Sequence, residues 1–127
     1  MAWVLDTSAL LAFLKQERGW QEVAQALEGE AWLSEVNRAE FYTYMVRHQH
    51  SIEKAETMLR KTEIKVVSFT QEQAILSALL YPDTRHCGLS LGDRACLALG
   101  RVQALPVLTA DRIWDRLDVG VPITIIR

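Results

Sequence analysis

Five short apolar runs, AWVLD at residues 2–6, EAWLS, IKVVSF, LPVLTA and ITIIR, alternate with stretches in which apolar residues recur every three or four positions. Runs of that length suit buried strands, and the intervening period suits helices. A chain built this way buries its strands under helices on both sides, so the pattern predicts a parallel-rich α/β sandwich.

The helical stretches can be placed in turn. TSALLAFLKQE sets Leu10, Leu11 and Leu14 at helical spacing, and a second helix after Gly19 turns Trp20, Val23, Ala24 and Leu27 to one face, with Gly29 as its stop. A long helix is expected from Glu35 to Gln49 with Val36, Ala39, Tyr42 or Thr43, and Val46 inward, and another from Ser51 with Ala55, Met58 and Leu59 inward. TQEQ, at Thr70 to Gln73, has capping-box form ahead of an apolar face of Ile75, Leu76 and Leu79. Tyr81-Pro82 should end that helix, PDTRHCG reads as loop, LSLGDRACLALGRVQA as loop into helix, and DRIWDRLD as a short helix.

The 127 residues, half of them apolar, fit a single domain spanning residues 1–127, with no repeat or linker. The formal net charge of -2 offers no broad cationic field for a polyanion, which must therefore be held locally. The N-terminal residues lack a basic start and a small-residue cleavage site, and no apolar run approaches the roughly 20 residues of a membrane helix. Cys87 and Cys96 form neither a CxxC pair nor a disulfide framework. The expectation is a soluble, cytoplasmic protein.

Four acids stand out by position. Asp6 follows WVL and Asp111 lies just past PVLT, so both lie where open α/β sheets bind ligands, beyond the carboxyl ends of strands. Glu40 and Asp93 lie near helix starts. Each has a plain alternative: Asp6, Asp93 (with Ser90) and Asp111 as helix caps, and Glu40 as a solvated helix residue. Asp6 fits its alternative least well, because it interrupts the most apolar stretch of the chain. If the four converge, their repulsion raises their pKa values unless a cation neutralises them, and magnesium or manganese suits an all-oxygen ligand set.

Four segments in order, VLDTSALLAFLKQE, SEVNRAEF, GLSLGDRACLALG and VLTADRIW, resemble the PIN-domain ribonucleases, most closely the VapC toxins of bacterial and archaeal toxin-antitoxin pairs. The resemblance spans nearly the whole chain. It implies a three-layer α/β/α sandwich with a mainly parallel central sheet. It also implies a metal-dependent endoribonuclease that hydrolyses RNA phosphodiesters with a metal-activated water, and a catalytic quartet of Asp6, Glu40, Asp93 and Asp111. Asp6, Asp93 and Asp111 would hold Mg2+ or Mn2+, and Glu40 would orient or deprotonate the attacking water. Thr7 and Ser8 match small polar neighbours of the first acid, and Thr109 a hydroxyl before the last. The implied partners are an RNA substrate, a VapB-like antitoxin and a second copy in a homodimer, with Trp20 and the Phe41 to Met45 stretch as candidate contact residues.

Other residues of the chain suit other chemistries less well. His48, His50 and His86 suggest metal-free acid-base cleavage, but the first two flank a helix end where a cation is favoured anyway. His86, Cys87 and Cys96 match no familiar zinc spacing. GLSLG lacks the Lys-Ser/Thr of a P-loop, and Asp115 reads as a solvated helix residue. Arg38, Arg94 and Arg112 lie close enough to the acids in sequence to meet RNA phosphates, although solvated arginines are the default. A small phosphatase of the haloacid dehalogenase type needs an acid two positions after Asp6, where this chain has Ser8. A catalytically silent, PIN-like partner-binding module has no use for four mutually repelling carboxylates.

Overall fold

The computed structural model describes residues 1–127 and contains one five-stranded sheet. In chain order the elements are β1 (Ala2–Leu5), α1 (Thr7–Leu14), α2 (Trp20–Glu28), β2 (Glu30–Ser34), α3 (Glu35–Arg47), α4 (Ile52–Lys61), β3 (Lys65–Val67), α5 (Gln71–Leu79), α6 (Tyr81–Thr84), α7 (Leu91–Gln103), β4 (Val107–Thr109) and β5 (Ile123–Ile125). Short 3-10 turns at Arg85–Cys87 and Arg112–Arg116 complete the chain. Every strand pair is parallel, and the spatial order is β3-β2-β1-β4-β5. The chain therefore winds outward from β1 in one direction, then resumes on the other side of β1 with β4. The crevice between the carboxyl ends of β1 and β4 is the topological switch point.

Side chains alternate across the sheet, so register decides which helices cover which face. Leu5 lies beside Leu33 and Leu108, and these three point toward α1, α2, α3 and α4. Val4 and Val107 point the other way, into a core completed by Leu97 and Leu99 of α7, Leu80, Leu89 and Trp114. The result is a three-layer α/β/α sandwich, with both sheet faces buried as an all-parallel sheet requires. No helix is long and apolar enough to cross a membrane.

Two helices bury faces other than those their periodicity predicts. In α3 the buried row is Asn37, Phe41 and Met45, whereas Ala39, Thr43 and Val46 face out and Val46 is 53% exposed. In α5 the buried residues are Gln73 and Ser77, followed by Leu80, while Ile75 and Leu79 are 54% and 67% exposed. Both helices carry apolar residues on two sides, so the 3.6-residue period has no unique answer and packing chooses. Ser77 is small and lets α5 close on α7, where the Arg94 guanidinium reaches the Ser77 carbonyl at 3.0 Å and lies over the Tyr81 ring. Arg94 is thus a packing residue turned toward α5, not a free cation at the rim.

Local signals fare better at helix starts than in the segment after α5. Thr70 accepts a hydrogen bond from the Gln73 amide, but only this half of the expected capping box forms, because the Gln73 side chain is buried. PDTRHCG is not loop: Pro82 stops α5 but occupies the first turn of α6, where its missing N–H costs nothing, and a 3-10 turn follows. The outward row of α5 can be tested by replacing neighbours of opposite orientation. Leu79→Ser should change stability in urea denaturation by no more than about 0.5 kcal/mol, whereas Leu80→Ala should cost about 2–5 kcal/mol.

Candidate active site

At the switch point, the register that pairs Leu5 with Leu108 brings the residues that follow them together. The Asp6 amide donates to the Leu108 carbonyl at 3.1 Å, and the Asp6 side chain caps α1 by accepting from the Ala9 amide at 2.8 Å. Thr109, the last residue of β4, donates its hydroxyl to Asp6 Oδ2 at 2.5 Å and accepts from the Asp111 amide at 3.0 Å. Ser8 donates to both Asp6 oxygens, at 2.8 and 2.9 Å, and accepts from the Ala110 amide at 2.9 Å. Asp6 is therefore buried, 3% exposed, within a net of hydroxyls that ties the first strand to the fourth.

The other three acids arrive on different elements. Asp93 forms a full capping box with Ser90 at the start of α7, its Oδ2 accepting from the Ser90 amide at 2.9 Å. Asp111 caps the following 3-10 turn by accepting from the Ile113 amide at 3.1 Å. Glu40 projects from α3 toward α7, where Oε1 accepts from Thr7 Oγ1 at 2.5 Å and from Asn37 Nδ2 at 2.9 Å. Its carboxylate occupies the space above Gly92: a Cβ on that residue would fall 2.1 Å from Oε2. A side chain at residue 92 would therefore displace the Glu40 carboxylate, although the backbone angles of Gly92 suit any residue.

Electrostatics link these groups. Burial lifts the Asp6 carboxyl from 3.8 to about 6, against the downward pull of hydrogen bonds from Thr109, Ala9 and Ser8, and the Asp93 charge pushes it further up. Asp93 is also raised, first by burial and then by the charges of Glu40 and Asp111, with the Ser90 bonds opposing. Behind them the buried Cys96 thiol is pushed well up by burial and by the charges of Asp6, Asp93 and Glu40. The ion pairs of the protein, Lys15–Glu17, Arg38–Glu35 and Arg127–Glu17, leave all four acids without a basic partner.

Cap and cluster are thus compatible descriptions of one carboxylate. As the side chains lie, no three acid, histidine or cysteine groups close into a ligand set around one point. Magnesium demands less than that, since it keeps several waters and takes one or two carboxylates directly. The donors are all oxygens, Glu40 Oε2 has no hydrogen-bond donor, and the repulsion among the acids has no internal counter-charge, so the residues present fit a hard divalent ion.

The remaining candidates fall outside this cluster. His48 caps the end of α3, with Nδ1 2.8 Å from the Tyr44 carbonyl, His50 meets Lys54, and His86 is exposed on the 3-10 turn after α6. Cys87 and Cys96 are buried free thiols. Arg38 pairs with Glu35 at 2.6 Å, and Arg112 and Asp115 are exposed. Phe41 and Met45 are core residues and Trp20 is half-buried. The residue that sequence reasoning missed is Asn37, whose only signal was a polar side chain at the head of what proves to be the inward row of α3.

The raised Asp6 pKa has a signed consequence. A carboxyl titrating at 3.8 when unfolded and about 6 when folded binds its proton more tightly in the native state, so stability falls as pH rises through that window. In EDTA-treated protein, the stability of Asp6→Asn relative to the parent should rise by about 2 kcal/mol between pH 4 and pH 7, read by urea denaturation at each pH.

Comparisons with known proteins bear on the family and the fold. Residues 3–120 match the PIN domain family. No curated protein sequence matches the chain. Among solved structures, a toxin-antitoxin complex from Klebsiella pneumoniae superposes with a TM-score of 0.75 at 17% identity, over 98% of this chain and 97% of that one. VapBC2 of Rickettsia felis, bound to a DNA fragment from its promoter, gives 0.74 at 14% identity over 98% of each chain. VapC20 of Mycobacterium tuberculosis, described as a sarcin-ricin loop cleaving toxin, gives 0.74 at 15% identity over 94% of this chain and 98% of that one. With its sequence matched from the first strand to beyond Asp111, this chain belongs to the PIN domain family.

Proposed function

We propose that residues 1–127 form one nuclease domain, a metal-dependent endoribonuclease acting in the cytoplasm as the toxin of a toxin-antitoxin pair. The observation that carries this reading is a buried carboxylate at the switch point, raised to about 6, whose field is shared with Asp93 and which no basic side chain neutralises. Stability alone would not keep such an arrangement, since a clustered, desolvated charge costs free energy. Membership of the PIN domain family and the VapBC complexes among the structural neighbours support the toxin role and a VapB-like antitoxin as partner. The description of the M. tuberculosis neighbour supports RNA as substrate. A homodimer completes the reading.

In this scheme Asp6, Asp93 and Asp111 would hold Mg2+ or Mn2+. A divalent ion so held supplies positive charge that stabilises phosphoryl oxygens and lowers the pKa of water. Thr109 and Ser8 fix the Asp6 oxygens, and the Thr109 hydroxyl also fixes the backbone of Asp111, so the two acids move as one unit. Glu40 orients the attacking water through Oε2 or takes its proton there. Because the nucleophile is water and not the 2'-hydroxyl, the products carry 5'-phosphate and 3'-hydroxyl ends.

Purified protein incubated with end-labelled structured RNAs should cut them with added Mn2+ or Mg2+ and stop in EDTA. Asp6→Asn, prepared identically, should cut at least about 100-fold more slowly, since losses at supporting residues alone reach 10–100-fold. Equal rates for the two proteins would defeat the proposal and leave partner binding as the role of the fold. Cyclic 2',3'-phosphate ends would defeat the water mechanism.

A further inference from the structure

We propose that Asn37 is a positioning residue for Glu40: its amide locks one oxygen of that carboxylate to α7 and leaves the other free. The proposal rests on the nuclease reading above and adds to it a residue whose side chain makes no hydrogen bond to Asp6, Asp93 or Asp111.

Asn37 is 1% exposed and lies on the inward row of α3, where its neighbours one and two turns on are Phe41 and Met45. Both hydrogens of Nδ2 are used, one on Glu40 Oε1 at 2.9 Å and one on the Gly92 carbonyl at 3.1 Å. The orientation of the amide follows from its surroundings, because both facing groups accept and only the NH2 end can satisfy them. The second bond crosses from α3 to α7, so Glu40 is held to the residue immediately before Asp93. Thr7 Oγ1 approaches the same Oε1 at 2.5 Å, and no donor reaches Oε2. Two donors on one oxygen fix the carboxylate about its terminal torsion, which is otherwise broad and roughly two-fold.

The remaining atom of the amide shows that packing alone does not explain the choice of residue. Asn37 Oδ1 is buried without any hydrogen-bond partner. An apolar side chain of similar shape would avoid that unsatisfied acceptor, and buried polar atoms left unpaired in native proteins call for a reason. The reason here is the Nδ2 end. Gly92 completes the device from the other side, since a Cβ would occupy the position of the Glu40 carboxylate.

A double-mutant cycle over Asn37→Leu and Glu40→Ala tests the proposal. If Asn37 acts through Glu40, Asn37→Leu lowers kcat for RNA cleavage by about 10–100-fold, with KM changed less than about twofold, and lowers it no further in the Glu40→Ala background. The same cycle in urea denaturation of metal-free protein, which needs no activity, should give midpoint shifts that are not additive. Asn37→Asp keeps the shape but places an acceptor against Oε1, so it should reproduce the kcat loss if the leucine variant folds poorly. Cleavage at the parent kcat by either variant overturns the proposal, and so do additive losses in the urea cycle. A parent protein that cuts no RNA while the urea cycle remains non-additive would defeat the nuclease reading and leave the Asn37–Glu40 lock standing.

Discussion

The parallel pairing of β1 with β4, Leu5 beside Leu108, places a carboxylate and a hydroxyl from distant parts of the chain in hydrogen-bond contact. The rest of the site is measured from that contact. Asp6 caps α1, which fixes where the first helix begins, and Thr109 turns the chain so that Asp111 caps the next turn. Shifting the pairing by one residue would exchange the two faces of β4, move Leu108 out of its core and separate Thr109 from Asp6. Sheet register and site geometry are therefore a single constraint, held by apolar packing on one side and by three hydrogen-bond donors to Asp6 on the other.

Against this stands an electrostatic cost. Burial and the neighbouring charges oppose ionisation of Asp6 and Asp93, and hydrogen bonds offset only part of the burial. Proteins accept local cost of this kind where function needs it and recover it elsewhere. Here the recovery comes from the apolar cores on the two faces of the sheet, which bury Val4, Val107, Leu97 and Leu99 on one side and Leu5, Leu33 and Leu108 on the other.

Much of this was legible in the sequence because its causes are local. Short apolar runs announced the strands, Ser51, Ser90 and Thr70 announced helix starts, and Asp6 stood out because it interrupts an apolar stretch. The buried faces of α3 and α5 were not legible, since each helix has apolar residues on two sides and only the neighbouring elements decide between them. Asn37 was missed for a related reason: hydropathy counts its amide against burial, and what makes burial tolerable is a carboxylate three residues on and a carbonyl 55 positions away. The order of the strands, which puts the switch point between β1 and β4, likewise depends on long-range pairing. The roles of the four acids came from motif resemblance and position, not from periodicity.

Three of the four acids are also helix or turn caps, and this governs when their freedom is lost. Each cap bond confines a side chain at the moment its helix or turn forms. The rotamer entropy of Asp6, Asp93 and Asp111 is thus surrendered during folding, where the cooperative gain of the whole domain absorbs it. In the proposed nuclease, an arriving ion or phosphate would have little left to immobilise among these groups. Exchanging any of the three for alanine would remove a cap as well as a charge. At the N-cap positions of Asp6 and Asp111, asparagine would remove the charge and keep the cap.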